Sequence, residues 1–172
     1  MTLAAPSTLA TLQAIQTVIL NGSGVTFAPL GSTDAARYGV GRAIFIGVPK
    51  QYRANLLPQC SIEALTDAVT VSGQHGRVRD SLTVRVRTFV DFTDWWAAEQ
   101  QVLTIRDLLL PLLAMHTAGG TLPVQPLTQL ALTNGAVAGE FGTVNIGEVW
   151  YRSWSCNLTV TQVYAPLGGI VR

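Results

Sequence analysis

The chain has 172 residues, a net charge of +1 and 12% charged side chains, where about 25% is usual. Near-neutrality removes the bulk attraction that a nucleic-acid reader or a binder of anionic lipid needs, and the length accommodates one domain, residues 1–172, with a proper core. So little charge favours a protein that buries much of its outside against partner subunits.

MTLAAPSTLA has no basic n-region, and Gln13 and Gln16 interrupt the apolar segment that follows, so neither a cleaved leader nor a membrane anchor is expected. Pro6 and Ser7 open a helix at STLATLQAIQTVILN with Gly22 as its stop. Leu9, Leu12, Ile15, Val18 and Ile19 form its apolar stripe, and Thr8, Thr11, Gln13 and Gln16 its other face. A polar face without charge is a candidate for packing on a neighbouring subunit. Residues 21–41 are rich in Gly and Ser and read as a long ordered loop. Ala43 to Val48, stopped by Pro49, suits a short buried strand.

The segment from Ser61 to Ser72, followed by GQHGRVRD, reads as the first arm of a hairpin whose tip lies near His75. Its second arm is the most regular strand of the chain. Leu82, Val84, Val86, Thr88 and Val90 fall on one face and Thr83, Arg85, Arg87, Phe89 and Asp91 on the other. A helix from Asp94 to about Met115 follows, with Thr93 as its cap, acid from Asp94 and Glu99 near its positive end, and Pro111 bending or ending it. The strand spans roughly 36 Å and the helix roughly 31 Å, so the helix can lie back along the strand.

No charged side chain occurs from Leu108 to Gly139, where Pro123 to Leu132 is the next extended segment. Glu148 to Tyr164 then alternates, with Trp150, Trp154, Cys156, Leu158 and Val160 on one face. A strand of that length would pair in the middle of the sheet or extend beyond it. The elements together predict an α+β single domain: a mainly antiparallel, mixed β-sheet with two helices packed on one face and a protruding β-hairpin.

Chemistry-bearing patterns are sparse. His75 sits in a glycine-flanked turn, His116 follows a helix, and no G-x-S-x-G elbow occurs. Cys60 and Cys156 lie in no metal-ligand spacing and read as small apolar fillers in a reducing compartment, with a single disulfide as the alternative. Gly22-Ser23-Gly24 lacks the lysine and helix of a phosphate loop. No enzyme, metal site or cofactor is expected. Asp91, Asp94 and Glu99 read as helix-start acids before they read as a catalytic pair.

The candidate interface residues are His75, Arg77, Arg79, Arg85, Arg87, Trp95 and Trp96. The four arginines share one face of the strand if it runs unbroken. They would then line a passage or meet an acidic partner, or else form a solvated face that pairs with Asp80 or Asp91 of a neighbour. The two tryptophans are a ligand platform or an interface anchor, or else one core ring and one ring on the sheet edge.

The order of helix, strands, arginine-bearing hairpin, long strand, long helix and long final strand resembles the tail terminator, or tail completion, proteins of long-tailed bacteriophages. VRVRTFVDFTDWWAAEQQVLTIRDLLLPLL and WYRSWSCNLTVTQVY carry the likeness, as the central strand, second helix and last strand. The resemblance implies a virion protein of the neck, assembled in the host cytoplasm as a hexameric ring on the head-proximal end of the tail tube. It also implies that the ring stops tube growth and offers the head-tail joining surface. Its partners would be further copies of itself, the tail-tube protein and the connector or stopper protein, with genomic DNA passing through the lumen unread and no membrane involved. Two helices on one sheet favour this over a tail-tube subunit or another connector protein. From a different class, the alternative is a small-molecule or lipid carrier with Trp95, Trp96, Trp150 and Trp154 lining an apolar pocket.

Overall fold

The computed structural model describes residues 8–47, 56–72, 77–117, 128–131 and 139–164. Among these residues three helices, α1 (Thr8–Gly22), α2 (Ser32–Tyr38) and α3 (Trp95–Thr117), accompany six strands. These are β1 (Ile44–Ile46), β2 (Gln59–Ser72), β3 (Arg77–Asp91), β4 (Thr128–Ala131), β5 (Gly139–Ile146) and β6 (Val149–Tyr164). They form one mixed sheet in the order β1-β2-β3-β6-β4, with β5 also pairing to β6. Among the described residues only the β1–β2 pair is parallel.

The alternation in β3 is what organises the core. Leu82, Val84, Val86 and Val90 are buried, together with Cys60 and Ile62 of β2 and Trp154, Cys156, Leu158 and Val160 of β6. Thr88 shares that face, its hydroxyl satisfied by donating to the Trp154 carbonyl at 3.2 Å. α1 and α3 cover this face through Leu12, Ile15, Val18 and Ile19 and through Val102, Ile105, Leu109 and Leu113. The expected class is therefore what is found, an α+β domain with two helices packed against one face of a mixed sheet. The helices meet where α1 ends, at Gly22, whose missing side chain leaves room for Leu112 of α3.

Several local expectations are corrected. Residues 21–41 are not loop throughout: α2 forms there, with Asp34 in its first turn, Arg37 in its last, and Gly39 in the left-handed conformation closing it onto the Ala35 carbonyl. Seven residues are too few to show a helical period. In α1 the stripe residues Leu12, Ile15, Val18 and Ile19 are buried as expected, but Leu9 is exposed and the inward face widens to take in Thr11 and Gln16. Gln16 is tolerated inside because its amide donates to the Ile44 carbonyl at 2.7 Å. Pro111 neither ends nor breaks α3, which continues to Thr117. Pro111 lies on the exposed side, where water can satisfy the carbonyl it frees, while Leu109 and Leu113 hold the following turn in the core.

The helix cap is Asp94, not Thr93. Its Oδ1 accepts from the backbone N–H groups of Trp96 at 3.0 Å and Ala97 at 3.2 Å, while Thr93 donates to Asp91. The expected extended segment at 123–132 is described only as β4, Thr128–Ala131, and Gly139–Ile146 adds a strand that the sequence reading lacked. β5 and β6 make a second hairpin through Gly147 and Glu148, both at positive φ, the turn geometry that matches strand twist.

Candidate subunit interface

β3 places the arginines. It runs unbroken from Arg77 to Asp91, so Arg77, Arg79, Arg85 and Arg87 occupy alternate positions along its length. Arg85 stands opposite Glu63 of β2 and Asn157 of β6, and Arg87 opposite Ser61 and Ser155. Both are half-buried rather than fully solvated, since the small, buried Ser61 and Ser155 leave room for arginine stems to lie on the sheet. Arg85 Nε donates to Asn157 Oδ1 at 3.5 Å, and Glu63 accepts instead from the Ser61 hydroxyl at 2.9 Å. Among the described residues neither guanidinium has an ion pair. Arg77 and Arg79 pair through their backbones with Ser72 and Thr70; their side chains, and all of His75, lie outside the described residues.

Trp95 and Trp96 are elsewhere. β3 extends roughly 48 Å, so the tryptophans that follow it lie far from Arg77 and Arg79, whereas Arg85 and Arg87 stand near the same end of the strand but on the face away from the helices. Neither tryptophan fills the core or packs away at the sheet edge. Trp95 is 66% and Trp96 57% exposed, their rings edge to face with centroids 5.5 Å apart. The carrier arrangement is not formed either: Trp154 is buried in the core, whereas Trp150 is 55% exposed on the β5–β6 hairpin.

A rigid base holds the tryptophan corner in place. Glu99, one turn into α3, does not sit free at the helix start. It accepts from Arg152 of β6 at two points, Nε to Oε2 at 2.7 Å and Nη2 to Oε1 at 3.2 Å. The same guanidinium lies over the Phe141 ring of β5, 5.9 Å from its centroid. Trp95 and Trp96 precede Glu99 by four and three positions and so share its side of the helix. Sequence reasoning missed Phe141 for this corner and grouped Trp150 with Trp95 and Trp96 only as the lining of a carrier pocket. The signal for Phe141 and Trp150 was present in the alternating EFGTVNIGEVW, where Gly147-Glu148 makes a two-residue turn.

The outward side of α1 is uncharged, and that of α3 carries one exposed ion pair, Arg106 with Asp107, among uncharged residues. α1 shows Leu9, Gln13, Thr17 and Leu20, and α3 shows Gln100, Gln101, Thr104 and Leu108. A shallow groove of about 550 Å³ separates that part of α3 from Gly24–Thr26 and Pro58. Among the described residues no group of three or more His, Cys, Asp or Glu side chains converges as for a metal ion, and no helix is long and apolar enough to cross a membrane. Asp91, Asp94 and Glu99 are each engaged locally and do not pair as carboxylates.

Cys60 and Cys156 are free thiols on the strands flanking β3. Cys60 stands opposite Thr88 and Cys156 opposite Val86, so two strand spacings and a two-residue offset set their backbones about 12 Å apart, past the reach of about 7 Å for a disulfide. Burial pushes the Cys156 thiol up to about 12, and raises Cys60 further, with Cys156 and Glu63 adding negative potential there.

No protein-family model matches the chain, and comparison with curated proteins returns no match.

Proposed function

We propose that this protein is a structural component of a phage tail, a terminator that closes the head-proximal end of the tail tube as a ring, most economically of six subunits. The supporting observation is the element order carried by the sequence likeness, folded as two helices on one face of a sheet whose long central strands are β3 and β6. The surface is consistent with that role. An uncharged outer face on α1, an exposed tryptophan pair and arginines with no ion pair among the described residues are features of association surfaces.

A growing tube offers each new ring of subunits the same surface. A terminator binds that surface and presents a chemically different outer face, so growth stops and the head can join. The lumen of such a ring admits DNA without reading it, in keeping with a chain of net charge +1. Removing the protein from a tailed particle should give tubes of uncontrolled length or tails that fail to join heads. Tails of normal, uniform length, properly joined, would rule the reading out.

A further inference from the structure

We infer that the tryptophan corner and the arginine face of β3 are the two halves of one head-to-tail contact between copies of this chain, an inference that rests on the ring reading and specifies how neighbours in it meet. The corner has the anatomy of a binding hot spot. Trp95, Trp96, Trp150 and Phe141 are all exposed, Phe141 at 40%, above a fixed base of Glu99 bound to Arg152.

The charge around the corner selects its occupant. Asp94 and Glu148 are exposed there and make no ion pair among the described residues, and the nearby Arg152 is already neutralised by Glu99. The corner is therefore aromatic and acidic. Its complement is a surface offering unpaired guanidinium groups, which stack on aromatic rings and pair with carboxylates. The chain carries such a surface in Arg85 and Arg87, held half-buried on β3 beside Glu63 but in no ion pair among the described residues.

One molecule cannot bring the two surfaces together. Trp150 and Phe141 stand on the helix-covered face of the sheet, in register with Asn145 and Trp154, whereas Arg85 and Arg87 alternate to the opposite face. The tryptophans, moreover, lie past the end of β3. A corner at one end and a receptor on the other face give a contact that propagates from copy to copy and closes when the rotation permits, as a ring requires.

The test uses two variants of the full chain, Trp95→Ala/Trp96→Ala and Arg85→Gln/Arg87→Gln, with native mass spectrometry and sedimentation as readouts. Each alone should self-associate at least tenfold more weakly than the wild type, with an unchanged far-ultraviolet circular dichroism spectrum. Mixed one to one, they should form dimers and nothing larger, because each then supplies the half the other lacks. If a double variant fails to fold, Trp150→Ala and Arg87→Gln take its place.

A mixture that stays monomeric overturns the pairing of these two surfaces. A tryptophan variant that assembles like the wild type overturns it too, even if that variant no longer binds tail tubes, and leaves the ring reading standing. A wild type that remains monomeric both alone and on tubes removes the ring reading and this inference together.

Discussion

A Cβ placed on Gly139 of β5 would lie 2.5 Å from Nε1 of Trp154, the large buried ring at the centre of β6. The edge strand therefore packs against the central one at a point where only glycine fits. Gly139→Ala should lower stability by roughly 1–3 kcal/mol, because Trp154 is closed in on every side and cannot step back. Chemical denaturation would measure it, and a variant as stable as the wild type would show that β5 can shift without loss.

Gln16→Leu keeps the volume of a buried side chain but leaves the Ile44 carbonyl without its 2.7 Å donor. The expected cost is about 1–3 kcal/mol. Gln16→Glu should cost more at neutral pH, since a carboxylate would then face that carbonyl. Equal stability of all three proteins would mean that α1 and β1 do not depend on this bond.

The ion pair between Glu99 and Arg152 joins α3 to β6 and is largely shielded from water. Glu99→Ala should cost roughly 1–2 kcal/mol and loosen the tryptophan corner. Tryptophan fluorescence is the sensitive readout, with a red shift or a fall in anisotropy expected in the folded variant. An unchanged spectrum would indicate that Asp94 alone holds the start of the helix.

Cys60 and Cys156 should resist thiol reagents at pH 8 in the native protein and react fully once it is unfolded. Folding raises the Cys156 pKa from 9.0 to about 12, so the folded chain keeps a proton that the unfolded chain gives up. The resulting contribution to stability is complete below pH 9 and is lost as pH rises from 9 towards 12. Cys156→Ala should flatten that alkaline decline, and a decline identical to that of the wild type would show that other groups cause it.

Replacing Arg77 and Arg79 together by alanine should weaken assembly while the monomer keeps its fold, since arginines near a hairpin tip act on association more than on the core. Assembly indistinguishable from the wild type would release this end of β3 from the interface.

The layout of the domain is legible in the sequence because burial on one face leaves a periodic trace. Val84, Val86 and Val90 alternate with Arg85 and Arg87, and Val102, Ile105, Leu109 and Leu113 recur at helical spacing, so β3, α3 and the apolar half of β6 can be read without coordinates. Short elements leave no such trace, which is why α2 emerged only from the fold. Caps and ion pairs are equally hidden. Whether Thr93 or Asp94 closes α3 depends on where the chain turns, and Glu99 finds Arg152 across 53 positions of sequence.

Tertiary structure alone decided the fates of the four tryptophans. Trp150 and Trp154 fall on the same face by parity, yet only Trp154 lies beneath the helices. Trp95 and Trp96 open a helix whose buried stripe begins at Ala98, and so they remain outside. Periodicity records which face a residue takes. It does not record how far the covering layer reaches, and that reach separates a core ring from an exposed one.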